Sequence, residues 1–140
     1  MALMYNLHMV LKIFTDGGSK GNPGPSSIGM VFYLDGKKVF DHHEAIGIAT
    51  NNDAEYLALI RALEFLNKNH KKEEVEKVQF YSDSRLMVNQ VNGLFKVKNG
   101  KIKEYILKIR GLEQEKGFRI SYSYIPREEN KEADLLVNTV

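Results

Sequence analysis

The fifteen residues Leu11-Lys12-Ile13-Phe14-Thr15-Asp16-Gly17-Gly18-Ser19-Lys20-Gly21-Asn22-Pro23-Gly24-Pro25 constrain this chain more than any other stretch. Val10 to Thr15 is β-branched and aromatic with a single charge, and it reads as a strand. Asp16 and two glycines stop it. A strand this apolar belongs at the centre of a sheet, buried on both faces. An aspartate at its end then lies at the rim of the core, where a lone negative charge is costly. A divalent cation is a natural offset. The rest of the chain must supply the other carboxylates around it.

Bulk composition narrows the class. With 140 residues, 43% of them hydrophobic and 27% charged, the chain fits one globular domain, residues 1–140, with residues 1–8 as a short N-terminal arm. Met4 and Met9 are further possible starts. No apolar run approaches bilayer length, and the first residues carry no charged region that would mark a signal peptide. The absence of cysteine excludes disulfides and thiolate chemistry, and it fits a cytoplasmic location.

Ser27 to Leu34 is a second strand, Asp35-Gly36 a hairpin turn, and Lys37 to Ile48 a third strand, so the first third reads as an antiparallel meander. His42 and His43 are adjacent on the third strand and point to opposite faces, which suits ordinary partly exposed residues better than joint metal ligands. Ala54 to Asn67 is a helix whose stripe Leu59, Ala62 and Leu66 extends back to Glu55. A capping box, with Asn52 as cap and Glu55 as its acid, explains the same residues locally. Lys77 to Ser82 is a fourth strand that ends in Asp83, and Ser84 to Val91 is a short helix. Asp83 also reads as a helix cap. Lys96 to Arg110 carries six cations and one acid, Glu104, giving +5 where the whole chain is only +2. Such a run is either a solvated helix face or a patch facing phosphates. Phe118 to Ile125 is a fifth strand, and Arg127 to Asp134 opens a last helix that ends near Val140. Asn130 and Asp134 are four apart and share one of its faces. The expected fold is α/β, a five-stranded mixed sheet of three antiparallel strands and two parallel additions, with helices on both faces.

Asp16, Glu55, Asp83 and Asp134 all fall at strand ends or in first helical turns. If the first helix crosses over the sheet, the first and fourth strands become neighbours and their aspartates project from one edge. Four converging carboxylates repel unless cations join them, and hard oxygen ligands suit Mg²⁺ and Mn²⁺. Two such ions make the clamp used for in-line phosphoryl displacement.

Four blocks carry a family resemblance: Thr15-Asp16-Gly17-Gly18-Ser19 through Asn22-Pro23-Gly24-Pro25; Thr50-Asn51-Asn52 with Ala54-Glu55-Tyr56; Tyr81-Ser82-Asp83-Ser84; and Asn130 with Ala133-Asp134. In this order and over nearly the whole chain, the sequence resembles type 1 ribonuclease H. The resemblance implies the ribonuclease H-like fold and hydrolysis of the RNA strand of an RNA–DNA hybrid, leaving 5′-phosphate and 3′-hydroxyl ends. It implies that Asp16 bridges two Mg²⁺ ions (or Mn²⁺), that Glu55 and Asp83 complete the leaving-group side, and that Asp134 holds the ion activating water. Gly17, Gly18, Ser19, Asn22, Asn51 and Asn52 would face the minor groove, where the 2′-hydroxyl distinguishes RNA from DNA. Asn22 also reads as a turn residue before Pro23. Thr50 would meet a DNA phosphate.

Two departures from the family stand out. The loop Tyr124-Ile125-Pro126-Arg127-Glu128-Glu129 lacks the histidine that many bacterial members carry before the last aspartate. Arg127 is its only cation and cannot act as a base at neutral pH. Arg127 and Asn130 are therefore expected in auxiliary roles. The stretch from Asp83 to Asp134 is also short, as in compact archaeal and bacterial members, and Lys96, Lys98 and Lys101 would supply the grip on the hybrid. A monomer is expected. The competing readings are an idle module that binds hybrid or duplex RNA, and a nuclease that also cuts double-stranded RNA.

Overall fold

Three strands joined by short turns begin the fold: β1 (Val10–Ser19), β2 (Gly24–Leu34) and β3 (Lys37–Ala49). Both joins in this meander are antiparallel. Asp35, at φ 48°, and Gly36 make the second turn, and the Asp35 carboxylate ties it down by accepting from the Val10 amide at 2.8 Å. The computed structural model describes residues 9–139, so the N-terminal arm read from the sequence lies outside the described residues.

The chain then crosses the sheet through α1 (Asn51–Asn69) and returns as β4 (Lys77–Ser82), parallel to β1. Next come α2 (Arg85–Val91), α3 (Gly100–Lys116), β5 (Ile120–Tyr124) and α4 (Lys131–Thr139), with β5 parallel to β4. The strand order is β3-β2-β1-β4-β5. This is the expected five-stranded mixed sheet with β1 at its centre.

Strand alternation divides the molecule into layers. Leu11 and Ile13 of β1, Met30 and Phe32 of β2, and Val78 and Phe80 of β4 are buried together with Leu59, Leu63 and Leu66 of α1 and Ile109 of α3. The opposite face is covered less completely. Lys12 is exposed and Phe14 half-buried, because the nine-residue α4 shields only part of it. The expectation that β1 is buried on both faces therefore holds for one. Phe14 instead stacks on Tyr81, with centroids 4.9 Å apart, and meets Tyr33 edge-on.

Local boundaries moved where caps decided them. α1 starts three residues before the expected Ala54 because Thr50, not Asn52, is its cap. The Thr50 hydroxyl accepts from the Asp53 amide at 3.0 Å, and the Asp53 carboxylate accepts in turn from the Thr50 amide at 3.4 Å. Asp53 rather than Glu55 is thus the acid of the capping box. Ser84, not Asp83, caps α2. Arg127–Glu129 form a separate short 3-10 turn before α4, so the last helix starts later than its sequence signals suggested.

Candidate active site

Asp16 lies inside β1 rather than at its end. Its residues 16–19 still pair with β2, Asp16 opposite Gly29, whereas the β4 ladder stops at Thr15 and Ser82. One flank of β1 is therefore open from Asp16 onward, and β4 ends beside it. Two glycines let helices close on this point. A Cβ on Gly17 would lie 2.2 Å from the Ala54 carbonyl oxygen, so α1 crosses β1 there in direct backbone contact. A Cβ on Gly29 would lie 2.8 Å from the Ala133 carbonyl oxygen on the other face, where α4 crosses. The first turns of both helices thus meet Asp16.

Freed from capping, Glu55 and Asp83 turn to Asp16. One carboxylate oxygen from each of Asp16, Glu55 and Asp83 lies within 4.8 Å of the other two. Asp134 of α4 stands outside that trio but adjoins Asp16, raising its pKa both by charge and by a hydrogen bond. Asp16 is 2% exposed and Glu55 8% exposed. Asp16 Oδ1 and Glu55 Oε1 are buried with no hydrogen-bond partner among the described residues. Burial first, then the charges of Asp83 and Asp134, push the Asp16 carboxyl up to about 8. Burial, then Asp16 and Asp83, raise Glu55 well above the ordinary carboxylate range. Arg127 opposes both shifts. Orphaned buried oxygens on clustered acids are what a hard divalent cation requires, and the donor set, all carboxylate, suits Mg²⁺ or Mn²⁺ over softer ions.

Asn130 holds the cluster together. It is 1% exposed, and its amide nitrogen donates to the Thr15 carbonyl at 2.9 Å and to Asp83 Oδ2 at 3.3 Å. Its own carbonyl accepts from the Asp134 amide at 3.1 Å. Asn138, one helical turn beyond Asp134, donates to the Asp134 carbonyl at 2.9 Å and to its carboxylate at 3.4 Å. The i, i+4 spacing of Asp134 and Asn138 was legible in the sequence, though the sequence reading did not single out Asn138.

A cleft of about 420 Å³ opens over the acids and includes Gly17, Gly18, Ser19, Asn51 and Arg127. The asparagines are partly engaged: Asn51 Oδ1 accepts from the Ser19 amide at 2.8 Å, and Asn22 Oδ1 accepts from the Asn51 amide at 2.9 Å. These bonds lock the turn between β1 and β2 against the start of α1. The carboxamide nitrogens of Asn22 and Asn51 donate to no other described residue. Asn52 is half-buried beside them.

The basic run divides in two. Lys101 faces Asp53 at 3.3 Å, Lys108 faces Glu64 at 3.9 Å, and Arg110 pairs with Glu113 at 3.0 Å. Lys96 and Lys98, in the irregular segment before α3, are exposed and form no ion pair among the described residues. The sequence reading missed Asp53 as a tertiary contact, because its partners lie 48 and 52 residues away and leave no local signal.

Residues 14–140 match the reverse transcriptase-like family. LC11-RNase H1, isolated from compost and solved in complex with RNA/DNA hybrid, superposes with a TM-score of 0.88 at 42% identity, over 93% of this chain and 95% of that one. RNase H1 from the halophilic archaeon Halobacterium salinarum gives a TM-score of 0.84 at 34% identity, over 92% and 95%. The chain belongs to the type 1 ribonuclease H family. Its relatives there are ribonucleases, hydrolytic nucleases, and its five-stranded sheet is theirs. A bifunctional protein of Mycobacterium tuberculosis is 37% identical over 93% of this chain, which spans 35% of that longer protein. Among the described residues, no helix is long and apolar enough to cross a membrane.

Proposed function

We propose that this chain is an endoribonuclease that hydrolyses the RNA strand of RNA–DNA hybrids, leaving 5′-phosphate and 3′-hydroxyl ends. One observation carries the reading: one carboxylate oxygen from each of Asp16, Glu55 and Asp83 lies within 4.8 Å of the other two, while Asp16 and Glu55, which line an open cleft, each hold a buried oxygen with no hydrogen-bond partner among the described residues. Asp16, Glu55, Asp83 and Asp134 would hold two Mg²⁺ ions, with Mn²⁺ as a substitute. When bound, such ions lower the pKa of a coordinated water and neutralise charge on the leaving oxygen. The acids fit that role because β1, α1, α4 and the end of β4 fix them before any ligand arrives, so little reorganisation is left for the reaction.

The chain's other residues bind and orient. Asn130 fixes the Asp83 carboxylate, and Asn138 that of Asp134. The free carboxamide nitrogens of Asn22 and Asn51, the Asn52 side chain, and the backbone of Gly17, Gly18 and Ser19 face the RNA sugar edge, where a 2′-hydroxyl both donates and accepts. The Thr50 hydroxyl uses an oxygen lone pair for capping and keeps its proton for a phosphate of the DNA strand. Arg127 adds positive charge at the cleft and accepts no proton. Lys96 and Lys98 take the DNA backbone. The enzyme works as a cytoplasmic monomer.

End-labelled RNA–DNA, RNA–RNA and DNA–DNA duplexes, each incubated with Mg²⁺, Mn²⁺ or EDTA, test the reading. Cleavage of the RNA strand of the hybrid, dependent on the divalent ion and lost in Asp16→Asn, is expected. Intact hybrid in both metals would leave a binding module, and equal cutting of duplex RNA would change the substrate.

A further inference from the structure

Asp53 does more than cap α1. It is 8% exposed, and its carboxylate gathers donors from two helices. Oδ1 accepts from the Tyr105 hydroxyl at 3.0 Å, and Oδ2 faces Lys101 Nζ at 3.3 Å and the Thr50 amide at 3.4 Å. Both side-chain donors belong to the first turns of α3. The Tyr105 ring stacks on Tyr56 of α1 with centroids 5.3 Å apart, and the Tyr56 hydroxyl donates to Gln90 of α2 at 2.5 Å. Asn99, the cap of α3, accepts from the amides of Lys101 and Ile102. The tie at Asp53 is therefore one short turn from Lys98 on one side. On the other it adjoins Thr50, Asn51 and Asn52.

We infer that Asp53 is a positioning residue that pins the start of α3 to the start of α1, and so sets the spacing between the Thr50–Asn52 turn and the Lys96–Asn99 segment. The inference rests on the proposed function, in which these two surfaces grip one duplex from either strand. Two contacts on a common ligand reinforce each other only when their separation is fixed near the span required. A loose α3 must be ordered at each binding event, and that cost lowers affinity without touching the reacting atoms. Lys101 thereby leaves the phosphate-facing patch and acts through Asp53. A purely structural tie behaves differently, since its loss lowers stability and leaves affinity alone.

Fluorescence anisotropy of a labelled RNA–DNA hybrid in EDTA, with steady-state kinetics in Mg²⁺, separates these outcomes for wild type, Asp53→Ala, Asp53→Asn, Lys101→Ala and the Asp53→Ala/Lys101→Ala double variant. Kd and KM are expected to rise about three- to tenfold in each alanine variant, with kcat within about twofold of wild type. The double variant should bind no worse than Asp53→Ala, because one tie has been cut twice. Asp53→Asn keeps one oxygen, enough for Tyr105 or for the Thr50 amide but not for both, and should recover part of the affinity. If Asp53→Ala does not fold, Asp53→Asn and Tyr105→Phe carry the same cycle. Additive losses in the double variant would place Lys101 on a phosphate and overturn the inference. So would wild-type affinity in Asp53→Ala, or a fall in kcat at unchanged KM. A wild-type chain that binds no hybrid removes the proposed function, and this inference with it. Normal wild-type binding with an unaffected Asp53→Ala removes the inference alone.

Discussion

Replacing Gly17 with alanine should separate Glu55 from Asp16. The added methyl would stand 2.2 Å from the Ala54 carbonyl oxygen, 2.3 Å from its carbon and 2.8 Å from the Glu55 nitrogen, all of them backbone. Ordinary contact begins at 3.4 Å, so α1 must retreat by about 1.2 Å, since a helix backbone cannot rotate aside as a side chain can. Overpacking of this kind costs about 1–3 kcal/mol, which in a domain of this size lowers Tm by about 3–12 °C. The same movement carries Glu55 away from the trio, and a displacement of about 1 Å at a reacting centre costs on the order of a hundredfold in rate. Gly18 is the internal control. Its added methyl would lie 3.4 Å from a Val137 side-chain carbon, an ordinary contact, so Gly18→Ala should lose less than about 1 kcal/mol. Thermal melts, Mn²⁺ calorimetry and hybrid cleavage on both variants test the reasoning. Wild-type melting and Mn²⁺ affinity in Gly17→Ala would refute it, as would equal destabilisation at Gly18.

Three further outcomes follow from the same geometry. Asp16 carries a raised pKa, so the folded chain binds a proton that the unfolded chain releases; without metal, stability is full near pH 4 and falls as pH rises towards about 8. Asp16→Asn should flatten that slope in EDTA melts, raise the metal-free Tm at pH 8, and lower turnover by more than about a thousandfold. Arg127→Ala should lower turnover by about tenfold, because it removes charge from the cleft and no proton acceptor; a loss equal to that of Asp16→Asn in the same cleavage assay would contradict its auxiliary role. Lys96→Gln with Lys98→Gln should weaken hybrid binding and reduce the slope of log Kd against log salt by about 2, and an unchanged slope in anisotropy titrations would remove both from the phosphate backbone.

The meander, β4 and the parallel pairing of β1 with β4 were legible because strand runs and the Asp35-Gly36 turn are local signals. The sequence singles out the four acids because each reads as a strand end or a first helical turn, although Asp16 in fact lies inside β1 and Glu55 is the fifth residue of α1. What escaped was set by contacts between distant parts of the chain. Gly17 and Gly18 read as a stop, yet they continue β1; glycine is there so that α1 can cross the strand. Asn52 and Glu55 make a plausible capping box, but Thr50 and Asp53 make the real one, and only that choice releases Glu55 towards Asp16. Asn130 shared a helix face with Asp134 in the sequence reading, whereas its position just before α4 lets it reach back to Thr15 and Asp83. Lys101 looked free because its pairing with Asp53 spans 48 residues.

Crystals grown with Mn²⁺, measured at a wavelength where manganese scatters anomalously, address the central claim most directly. The account predicts anomalous peaks bounded by Asp16, Glu55 and Asp83 and, with hybrid bound to an inactive variant, a second peak between Asp16 and Asp134. An anomalous map empty at Asp16, from crystals grown with Mn²⁺ of a chain that cleaves hybrid with manganese in solution, would contradict it.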